Sequence, residues 1–395
     1  MRVDHLVVED FRNYRSAQVD FAPGVNLVAG RNAQGKTNLL EAVHCLSGTG
    51  SPRSTDAALV RDGAERALLH ARVTRAGRAP GQPARSMTVD VEIRPGRGTR
   101  ALINKTPVSG GRALGALTAS VFFGPDELSL VKGSPDGRRR FLDDLVVKLR
   151  PARDGLRREW ERVLRQRNAL LRTAPRSKAT SLPTLDVWDD SLARVGGGLA
   201  AARLEVLGAL LPYALKRYES IAGAGRLDLA YVSSWIDDES TERALRDPSS
   251  VDEVELTEML KQGIDRIRPR ELERGMSLIG PQRDDVSVLL QAESSMLDAR
   301  TYASQGDQRT SALALKLGEH DLLSECLDDQ PLLLLDDVFS ELDPARRAWL
   351  GDAVRSMGQI LVSSAEPGGT EATRAERVFE ISGGTIKSRS GSGRG

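Results

Sequence analysis

The sequence predicts an α/β fold in which a mixed sheet carries a glycine-rich loop and a helical second lobe is inserted into the chain. Residues 332–335 form a continuous apolar run, typical of a strand buried on both faces of a parallel sheet. Residues 138–171 and 185–210 repeat apolar side chains mostly at three- and four-residue steps, which predicts helices. Short runs rich in Val and Leu predict three N-terminal strands, at residues 3–8, 17–21 and 25–29.

Composition bounds the class of protein. The 395 residues include 56 Lys+Arg and 55 Asp+Glu, so the formal net charge is +1 and names no partner. A hydrophobic content of 40% is enough for a buried core, which excludes wholesale disorder. No run of about 20 apolar residues stands out as a membrane span, and the charged first sixteen residues do not fit a secretory leader. We therefore expect a cytoplasmic protein without a membrane partner.

The remaining elements suggest two lobes. Residues 67–75, 87–94 and 100–103 are typical of antiparallel strands. Cys45 and Cys326 lie among apolar residues of predicted helices, so we expect two buried thiols and no disulfide. We predict a discontinuous head lobe and one helical lobe, with a disordered glycine- and serine-rich tail. The predicted bounds are 1–124 and 276–395 for the head, 125–275 for the helical lobe and 382–395 for the tail.

A phosphate-binding loop lies between the strand at 25–29 and the helix that begins at Lys36. Its residues are Gly30, Arg31, Asn32, Ala33, Gln34, Gly35, Lys36 and Thr37, with two glycines four residues apart before Lys-Thr. Backbone N–H groups and the helix N-terminus converge on phosphate oxygens in such a loop, and Gly35 permits their close approach. We expect Lys36 to reach the β- and γ-phosphates and Thr37 to bind Mg²⁺. The alternative is a chance glycine-rich turn.

Two carboxylates follow the apolar run. Asp336 stands where a strand-end carboxylate would hold Mg²⁺ from a second side, and Asp337 is placed to act as a general base. The alternative is that both merely cap a strand. Lys36 and Asp336 are 300 positions apart (336 minus 36), more than a minimal nucleotide-binding unit needs. The sequence therefore predicts a large insertion between them.

Several segments resemble ABC-type ATPases, and more narrowly the RecF family of bacterial DNA replication and repair proteins, which is related to SMC heads. Ser304, Gln305 and Gly306 resemble the ABC signature, and Ser340 to Asp343 resemble the D-loop. The segments specific to the RecF family are FRNYR (11–15), FFGPDELSLVKG (122–133), RRRFLD (138–143), QRNALLR (166–172), GPQRDD (280–285) and LLLLDDVFSELD (332–343).

The resemblance implies an ABC-type ATPase head with a helical lobe and no long coiled coil, which dimerises around two ATP molecules. Ser304, Gln305 and Gly306 would contact the γ-phosphate bound by the opposite subunit, and Asp343 would lie across the same interface. The implied cofactors are ATP and Mg²⁺. The implied partners are gapped or junction DNA, RecR and RecO, in recombinational repair, replication restart, recombinase loading and the SOS response.

Three departures from the ABC pattern bear on turnover. Asp307 replaces the usual Gln of the signature, with Gln308 one step later. No Gln stands near Gly124, where a Q-loop is expected, and Ser363 and Ser364 occupy the place of the switch histidine. The missing switch histidine favours slow hydrolysis of ATP by a clamp rather than rapid turnover by a motor. The resemblance further implies that DNA stimulates this hydrolysis.

The segment 138–172 has twelve Arg and Lys residues against five Asp and Glu, a local charge of +7. Such a basic segment is suited to the phosphate backbone of DNA. The alternative is a solvated helix surface. The candidate DNA contacts are Arg138, Arg139, Arg140, Arg150, Arg153 and Arg157.

Three other functions remain open. A transporter-type ABC subunit would need less chain between the phosphate loop and the signature. An SMC-like ATPase would need a long coiled coil, which Pro151, Pro183 and the glycines 196–198 interrupt. A DNA scaffold that binds ATP without hydrolysing it is the third alternative.

Overall fold

A computed structural model describes residues 1–77, 82–108, 114–115, 117–173, 183–223, 225–365 and 374–390. The helices, numbered along the chain, are α1 Lys36–Cys45, α2 Asp56–Leu59, α3 Ser129–Lys132, α4 Pro135–Leu149, α5 Leu156–Thr173, α6 Pro183–Ala222, α7 Asp238–Arg246, α8 Glu253–Arg274, α9 Ala299–Tyr302, α10 Gln305–Leu327 and α11 Pro344–Ala353. The strands are β1 Arg2–Phe11, β2 Tyr14–Asp20, β3 Val25–Ala29, β4 Ala67–Arg75, β5 Arg85–Arg94, β6 Gly98–Ile103, β7 Thr106–Val108, β8 Ser120–Phe123, β9 Leu227–Val232, β10 Asp285–Ala292, β11 Ser295–Asp298, β12 Leu332–Asp336, β13 Ile360–Ser364, β14 Arg377–Ser382 and β15 Thr385–Ser390.

The chain divides into two compact units. The head unit comprises Met1–Leu128, Arg217–Gly223 and Ala312–Gly395, and the helical unit comprises Ser129–Lys216 and Ala224–Ser311. The predicted boundary at 124/125 lies four residues before the observed one. The predicted return to the head at 276 is 36 residues too early (312 minus 276), because β9, β10 and β11 pair as a sheet of the helical unit.

The head unit contains two six-stranded sheets. The antiparallel sheet has the order β2-β1-β4-β5-β6-β7, and the mostly parallel sheet has the order β15-β14-β3-β13-β12-β8. Helix α1 packs against strands of both sheets, and its Leu39, Leu40 and Val43 are fully buried in their common core. Strand β12 is buried at all five residues, as its continuous apolar run predicts.

The predicted disordered tail at 382–395 is wrong for its first part. Residues 385–390 form β15, which pairs with β14 through the Ile381–Ile386 pair. Gly383 and Gly384, both with positive φ (55° and 76°), make the two-residue turn between these strands. A Gly-Gly pair is a strong hairpin signal, which outweighs the tail-like composition. Residues 391–395 lie outside the described residues.

Helix α6 is the main difference from prediction in the helical unit. It runs for 40 residues through Gly196–Gly198 and Pro212 without interruption. The glycines serve close packing: a Cβ at Gly197 would lie 2.4 Å from the Thr257 hydroxyl oxygen, and one at Gly196 would lie 2.4 Å from Leu260. Helix α8 therefore approaches α6 closely enough to support it where its helical propensity is low.

By length and composition alone, residues Thr184–Ala222 of α6 could cross a membrane, which the sequence analysis did not anticipate. Of the most apolar window of this helix, 67% is buried inside the protein. Burial of this extent is typical of a core helix.

Helices α5 and α6 pack antiparallel, as predicted, because Glu159 pairs with Arg194 while Arg167, further along α5, pairs with the earlier Asp189. The predicted linker between them, residues 174–182, lies outside the described residues. Cys45 is buried as predicted, but Cys326 is exposed near the end of α10. Cys326 is the penultimate residue of the helix, beyond the buried Leu322 and Leu323.

Candidate functional site

The candidate nucleotide site lies where the parallel strands of the head unit end. β3, β13 and β12 are adjacent and parallel, so their carboxyl ends share one edge of the sheet. The phosphate loop follows β3, Asp336 ends β12, and Ser363 lies near the end of β13. Ligands of open α/β sheets bind at such an edge. The structure therefore brings the predicted phosphate loop and both predicted carboxylates together.

The phosphate loop has the backbone conformation that wraps an anion. Ala33 and Gly35 have φ of 63° and 119°, and Gly35 stands immediately before the first residue of α1. The Lys36 side chain is buried and folds back over the loop, where its Nζ donates to the Gly30 carbonyl at 2.9 Å and to Asn32 Oδ1 at 3.3 Å. The ammonium group thus lies at the mouth of the loop, where phosphate oxygens would replace these acceptors.

Thr37 and Asp336, the two predicted Mg²⁺ ligands, are in direct contact. Thr37 Oγ1 donates to Asp336 Oδ1 at 2.9 Å, and Ser363 Oγ donates to the same oxygen at 2.6 Å. Adjacent ligands of an octahedral Mg²⁺ with bonds of about 2.1 Å lie about 3 Å apart, so this hydroxyl–carboxylate pair fits the ion. Burial raises the pKa of Asp336, and the two hydroxyl donors partly oppose that rise. A divalent cation would complete the compensation of this buried charge.

Asp337 turns away from the strand in a left-handed conformation, with φ of 53°. Its N–H donates to Ser363 Oγ at 3.0 Å, and its Oδ1 accepts the Ala365 N–H at 3.2 Å. Its Oδ2 lies 3.9 Å from Lys36 Nζ. The side chain stays partly exposed (27%), so a water molecule can reach it. Ser363, at the expected place of a switch histidine, thus orients both aspartates.

The FRNYR segment supports the phosphate loop from behind. Asn13 Nδ2 donates to the Gln34 carbonyl at 2.9 Å, and the Tyr14 hydroxyl donates to the Gly35 carbonyl at 2.9 Å. Asn38 Nδ2, in α1, donates to Asn13 Oδ1 at 2.8 Å. Tyr14 is fully buried, and burial raises its pKa, so it remains a neutral donor. Sequence reasoning gave this segment no such supporting role.

A second group that the sequence analysis missed surrounds Glu41 of α1. Glu41 is fully buried and accepts two hydrogen bonds from Arg12, both at 2.8 Å, and one from Ser51. Burial raises the pKa of Glu41, but these donors outweigh burial and the net shift is downward. Arg53 lies 3.5 Å from Glu41, and its charge also lowers the pKa of Asp336. No recognisable spacing in the sequence signals this arginine pair.

The signature residues belong to the helical unit. Ser304 and Gln305 are exposed at the start of α10, a helix of 23 residues. Ser304 Oγ donates to Asp307 Oδ2 at 2.7 Å and accepts the Asp307 N–H at 3.2 Å, a reciprocal cap of the helix. Gln308 is buried and donates to the Ala299 carbonyl at 3.0 Å. It therefore does not take over the role of the signature Gln that Asp307 replaces.

The structure corrects the set of candidate DNA contacts. Arg138 is only 5% exposed, and its guanidinium donates to Asp285 at 2.7 and 2.8 Å. Arg139 is half-buried and donates to the Asp284 carbonyl at 2.6 Å. These two arginines hold the aspartates of the GPQRDD segment, which lie 145 and 147 residues further along the chain. Arg140, Arg150 and Arg157 are exposed, and Arg153 is partly buried beside Glu205.

Helix α5 carries a basic face formed by exposed arginines that follow Arg157, the last of the predicted DNA contacts. Its exposed arginines recur at steps of four, three and seven residues, which places them on one side of the helix. The opposite side is buried through Trp160, Val163 and Leu171. We call this surface the α5 stripe; its members are Arg158, Arg162, Arg165 and Arg172.

Comparison with known proteins gives one consistent result. The profile of the RecF/RecN/SMC N terminal domain family matches residues 2–387. A DNA replication and repair protein RecF of Streptomyces avermitilis is 41% identical over 98% of this chain and 100% of its own. The protein of the same name from Beutenbergia cavernae is 43% identical over 92% of this chain and 94% of its own.

Solved structures agree. A structure of the recombination mediator protein RecF with ATP matches with a TM-score of 0.84 and 25% identity, over 98% of this chain and 97% of the other. An Smc head bound to the winged-helix domain of ScpA matches with a TM-score of 0.54 and 13% identity, over 99% and 98% of the two chains. The Smc match shows a shared fold alone.

Proposed function

This chain belongs to the RecF family of DNA replication and repair proteins, and from that premise we propose that it is an ATP-dependent dimeric clamp on DNA. In recombinational repair and replication restart, the clamp helps to load recombinase at gapped DNA and supports the SOS response. RecR and RecO are its proposed partners, and the cytoplasm is its proposed location. Family membership disfavours a transporter subunit.

The main observation that supports ATP binding is that Lys36, Thr37 and Asp336 lie together at one edge of the sheet. The phosphate loop supplies N–H groups, Lys36 a cation, and the Thr37–Asp336 pair, 2.9 Å apart, two Mg²⁺ ligands. When bound, Mg²⁺ neutralises charge on the β- and γ-phosphates. The solved RecF structure with ATP supports the same ligand here.

Slow hydrolysis follows from the residues around the site. Asp337, oriented by Ser363 and Ala365, accepts a proton from the attacking water. Its Oδ2 also lies 3.9 Å from Lys36 Nζ, so the base stands beside the cation that would bind the β- and γ-phosphates. A serine at position 363 cannot shuttle a proton as a histidine would. Hydrolysis therefore resets the clamp slowly rather than driving motion.

Dimerisation rests on the signature. Ser304 and the N-terminus of α10 present a hydroxyl and N–H groups that could bind a phosphate. These groups belong to the helical unit, whereas the phosphate loop belongs to the head unit. They would complete the site of a second copy, so that each ATP lies between two subunits. The inserted helices do not form an SMC-like coiled coil, because α6 packs along α5 and α8 within its own unit.

For DNA, the α5 stripe is the favoured surface, together with the exposed Arg140, Arg150 and Arg157. Neutralising Arg162 and Arg165 with Gln should lower the slope of log affinity against log salt by roughly one for each lost phosphate contact. Arg243 and Arg246, exposed on α7 of the same unit, provide a matched double-Gln control. An unchanged slope in the stripe variant would move the DNA surface elsewhere.

Sedimentation velocity tests the clamp directly. The protein is run without nucleotide, with ADP, and with ATP and Mg²⁺, each with and without a gapped duplex. We expect a monomer that dimerises only with ATP. Lys36→Ala should lose ATP binding, whereas Ser304→Arg should bind ATP and remain a monomer. A Ser304→Arg protein that still dimerises would refute the composite site. A wild-type monomer in every condition would favour the non-hydrolysing scaffold.

A further inference from the structure

The C-terminal hairpin lies beside the phosphate loop for a topological reason. β14 is parallel to β3, with Glu380 opposite Ala29, so both strands end at the edge of the sheet where the nucleotide site lies. The chain leaves β3 into the phosphate loop and leaves β14 into the turn Gly383–Gly384. A Cβ at Gly30 would lie 2.5 Å from the Ile381 carbonyl oxygen, which shows how closely the two segments pass.

Gln34 is held between two reverse turns. Its Oε1 accepts the Gly383 N–H at 2.7 Å, and its carbonyl oxygen accepts the Gly384 N–H at 3.3 Å. The same carbonyl accepts Asn13 Nδ2 at 2.9 Å from the turn between β1 and β2. The two turns also touch, because a Cβ at Gly384 would lie 2.8 Å from the Asn13 carbonyl oxygen. A residue in the middle of the phosphate loop is thus fixed from both sides.

We propose that the Gly383–Gly384 turn positions the phosphate loop through Gln34, and that nucleotide binding and formation of this hairpin are thermodynamically coupled. The inference rests on the proposed ATP binding. A loop whose N–H groups must converge on phosphate loses less conformational freedom on binding if it is already ordered. Coupling is reciprocal, so a ligand favoured by the ordered loop stabilises the turn in return.

Two glycine variants separate this role from ordinary hairpin stability. Gly384→Asn puts a Cβ against the Asn13 carbonyl and shifts the turn, whereas Gly96→Asn, in the turn between β5 and β6, meets nothing within 4 Å. Both glycines have nearly the same φ, 76° and 72°, and Asn tolerates this region best among side-chain-bearing residues. We expect Gly384→Asn to weaken ATP binding about tenfold and Gly96→Asn to leave it unchanged.

Two further readouts do not depend on the glycine variants. Gln34→Leu removes the acceptor of the Gly383 N–H and should weaken ATP binding without lowering the melting temperature of the nucleotide-free protein. In the wild type, saturating ATP with Mg²⁺ should slow hydrogen exchange in a peptide that covers β14 and β15. The same peptide in Gln34→Leu should respond less. A hairpin that is merely part of the sheet would respond to saturating ATP equally in the wild type and in Gln34→Leu.

The outcomes are distinguishable from failure of the proposed function. If the wild type does not bind ATP, the nucleotide site itself is wrong. If the wild type binds ATP, and Gly384→Asn and Gln34→Leu bind it as tightly with unchanged exchange in the hairpin, the positioning role is overturned and the nucleotide site stands. If Gly384→Asn fails to fold, Gln34→Leu and the wild-type exchange experiment decide.

Discussion

At the residue scale, adjacent aspartates have different environments. Asp336 is buried and accepts hydroxyl hydrogen bonds from Thr37 and Ser363, which suits a metal ligand. Asp337 is partly exposed and has one oxygen held by a backbone N–H, which suits proton transfer to and from water. The sequence analysis gave the two aspartates these roles from their order at the strand end, and the structure adds the difference in burial and hydrogen bonding that suits each role.

Asp337→Asn should lower kcat for ATP hydrolysis by about a hundredfold or more, because an amide cannot accept the proton. ATP affinity should change by no more than a few-fold, since the size of the side chain is kept. Single-turnover hydrolysis and a nucleotide titration measure the two quantities. Asp336→Asn is the contrast and should weaken Mg²⁺-dependent ATP binding itself. An unchanged kcat in Asp337→Asn would remove Asp337 from the mechanism.

Asp307→Asn should strengthen ATP-dependent dimerisation. The Asp307 carboxylate accepts the Ser304 hydroxyl at 2.7 Å and places a negative charge where a partner's γ-phosphate would approach. The neutral amide removes that repulsion, so less protein should be needed to form the dimer, and the difference from wild type should shrink in high salt. Asp252→Asn, a capping carboxylate of α8, is the control. Equal dimerisation of all three proteins would contradict the prediction.

At the scale of elements, the close packing at the glycines of α6 predicts that a larger side chain there destabilises the protein. Gly197→Ala should destabilise the protein by about 1 to 3 kcal/mol, because its Cβ would lie 2.4 Å from the Thr257 hydroxyl and 2.8 Å from Thr257 backbone atoms. Gly137→Ala, in α4, meets only the Ser129 hydroxyl at 3.8 Å and should be neutral or stabilising by up to about 1 kcal/mol. Urea unfolding followed by circular dichroism compares them, and equal midpoints would contradict the packing argument.

Elements with a strong local pattern were predictable from sequence. The phosphate loop, α1 and β12 combine a motif or an apolar run with clear flanking signals, and the structure has each of them. Continuity of α6 was not predictable, because its glycines and proline weaken the helix locally, and its close packing against α5, α7 and α8 cannot be seen in the local sequence. Burial of Arg138 was not predictable either, because its partner Asp285 lies 147 residues away.

On the scale of the whole molecule, two of the segments that carry the family resemblance, QRNALLR and GPQRDD, contribute to buried polar networks in the helical unit. Arg167, of the QRNALLR segment, is fully buried between Asp189 at 2.5 Å and Glu271 at 2.7 Å, and donates to Ser277 at 2.7 Å. These bonds join α5, α6 and α8 across a large span of sequence. Removing one partner of such a pair leaves an uncompensated buried charge, so the network fixes one packing of the helices.

The GPQRDD segment forms the second network. Asp284 is 1% exposed and accepts hydrogen bonds from the Tyr231 hydroxyl at 2.8 Å, Ser233 at 2.9 Å and the Trp235 indole at 3.0 Å. Arg203, which pairs with Asp143, is the nearby positive charge. Burial raises the pKa of Asp284 to about 6, although these partners oppose the rise. The carboxylate is thus well bonded and still costly to ionise.

This raised pKa predicts how stability varies with pH. Because the folded state binds the Asp284 proton more tightly than the unfolded chain, whose value is 3.8, the contribution of Asp284 is fully present below pH 3.8 and is lost as pH rises to about 6. The difference amounts to about 3 kcal/mol. Asp284→Asn should therefore show a smaller loss of unfolding free energy between pH 4 and pH 6.5 than the wild type, measured by urea titration at each pH.

Asp237→Asn is the opposite control, because hydrogen bonding from the Ser240 N–H lowers the pKa of Asp237 and its contribution is lost as pH falls. An identical pH slope in wild type and Asp284→Asn would mean that Asp284 is ionised in the fold at no cost, and that its three donors and Arg203 replace water completely.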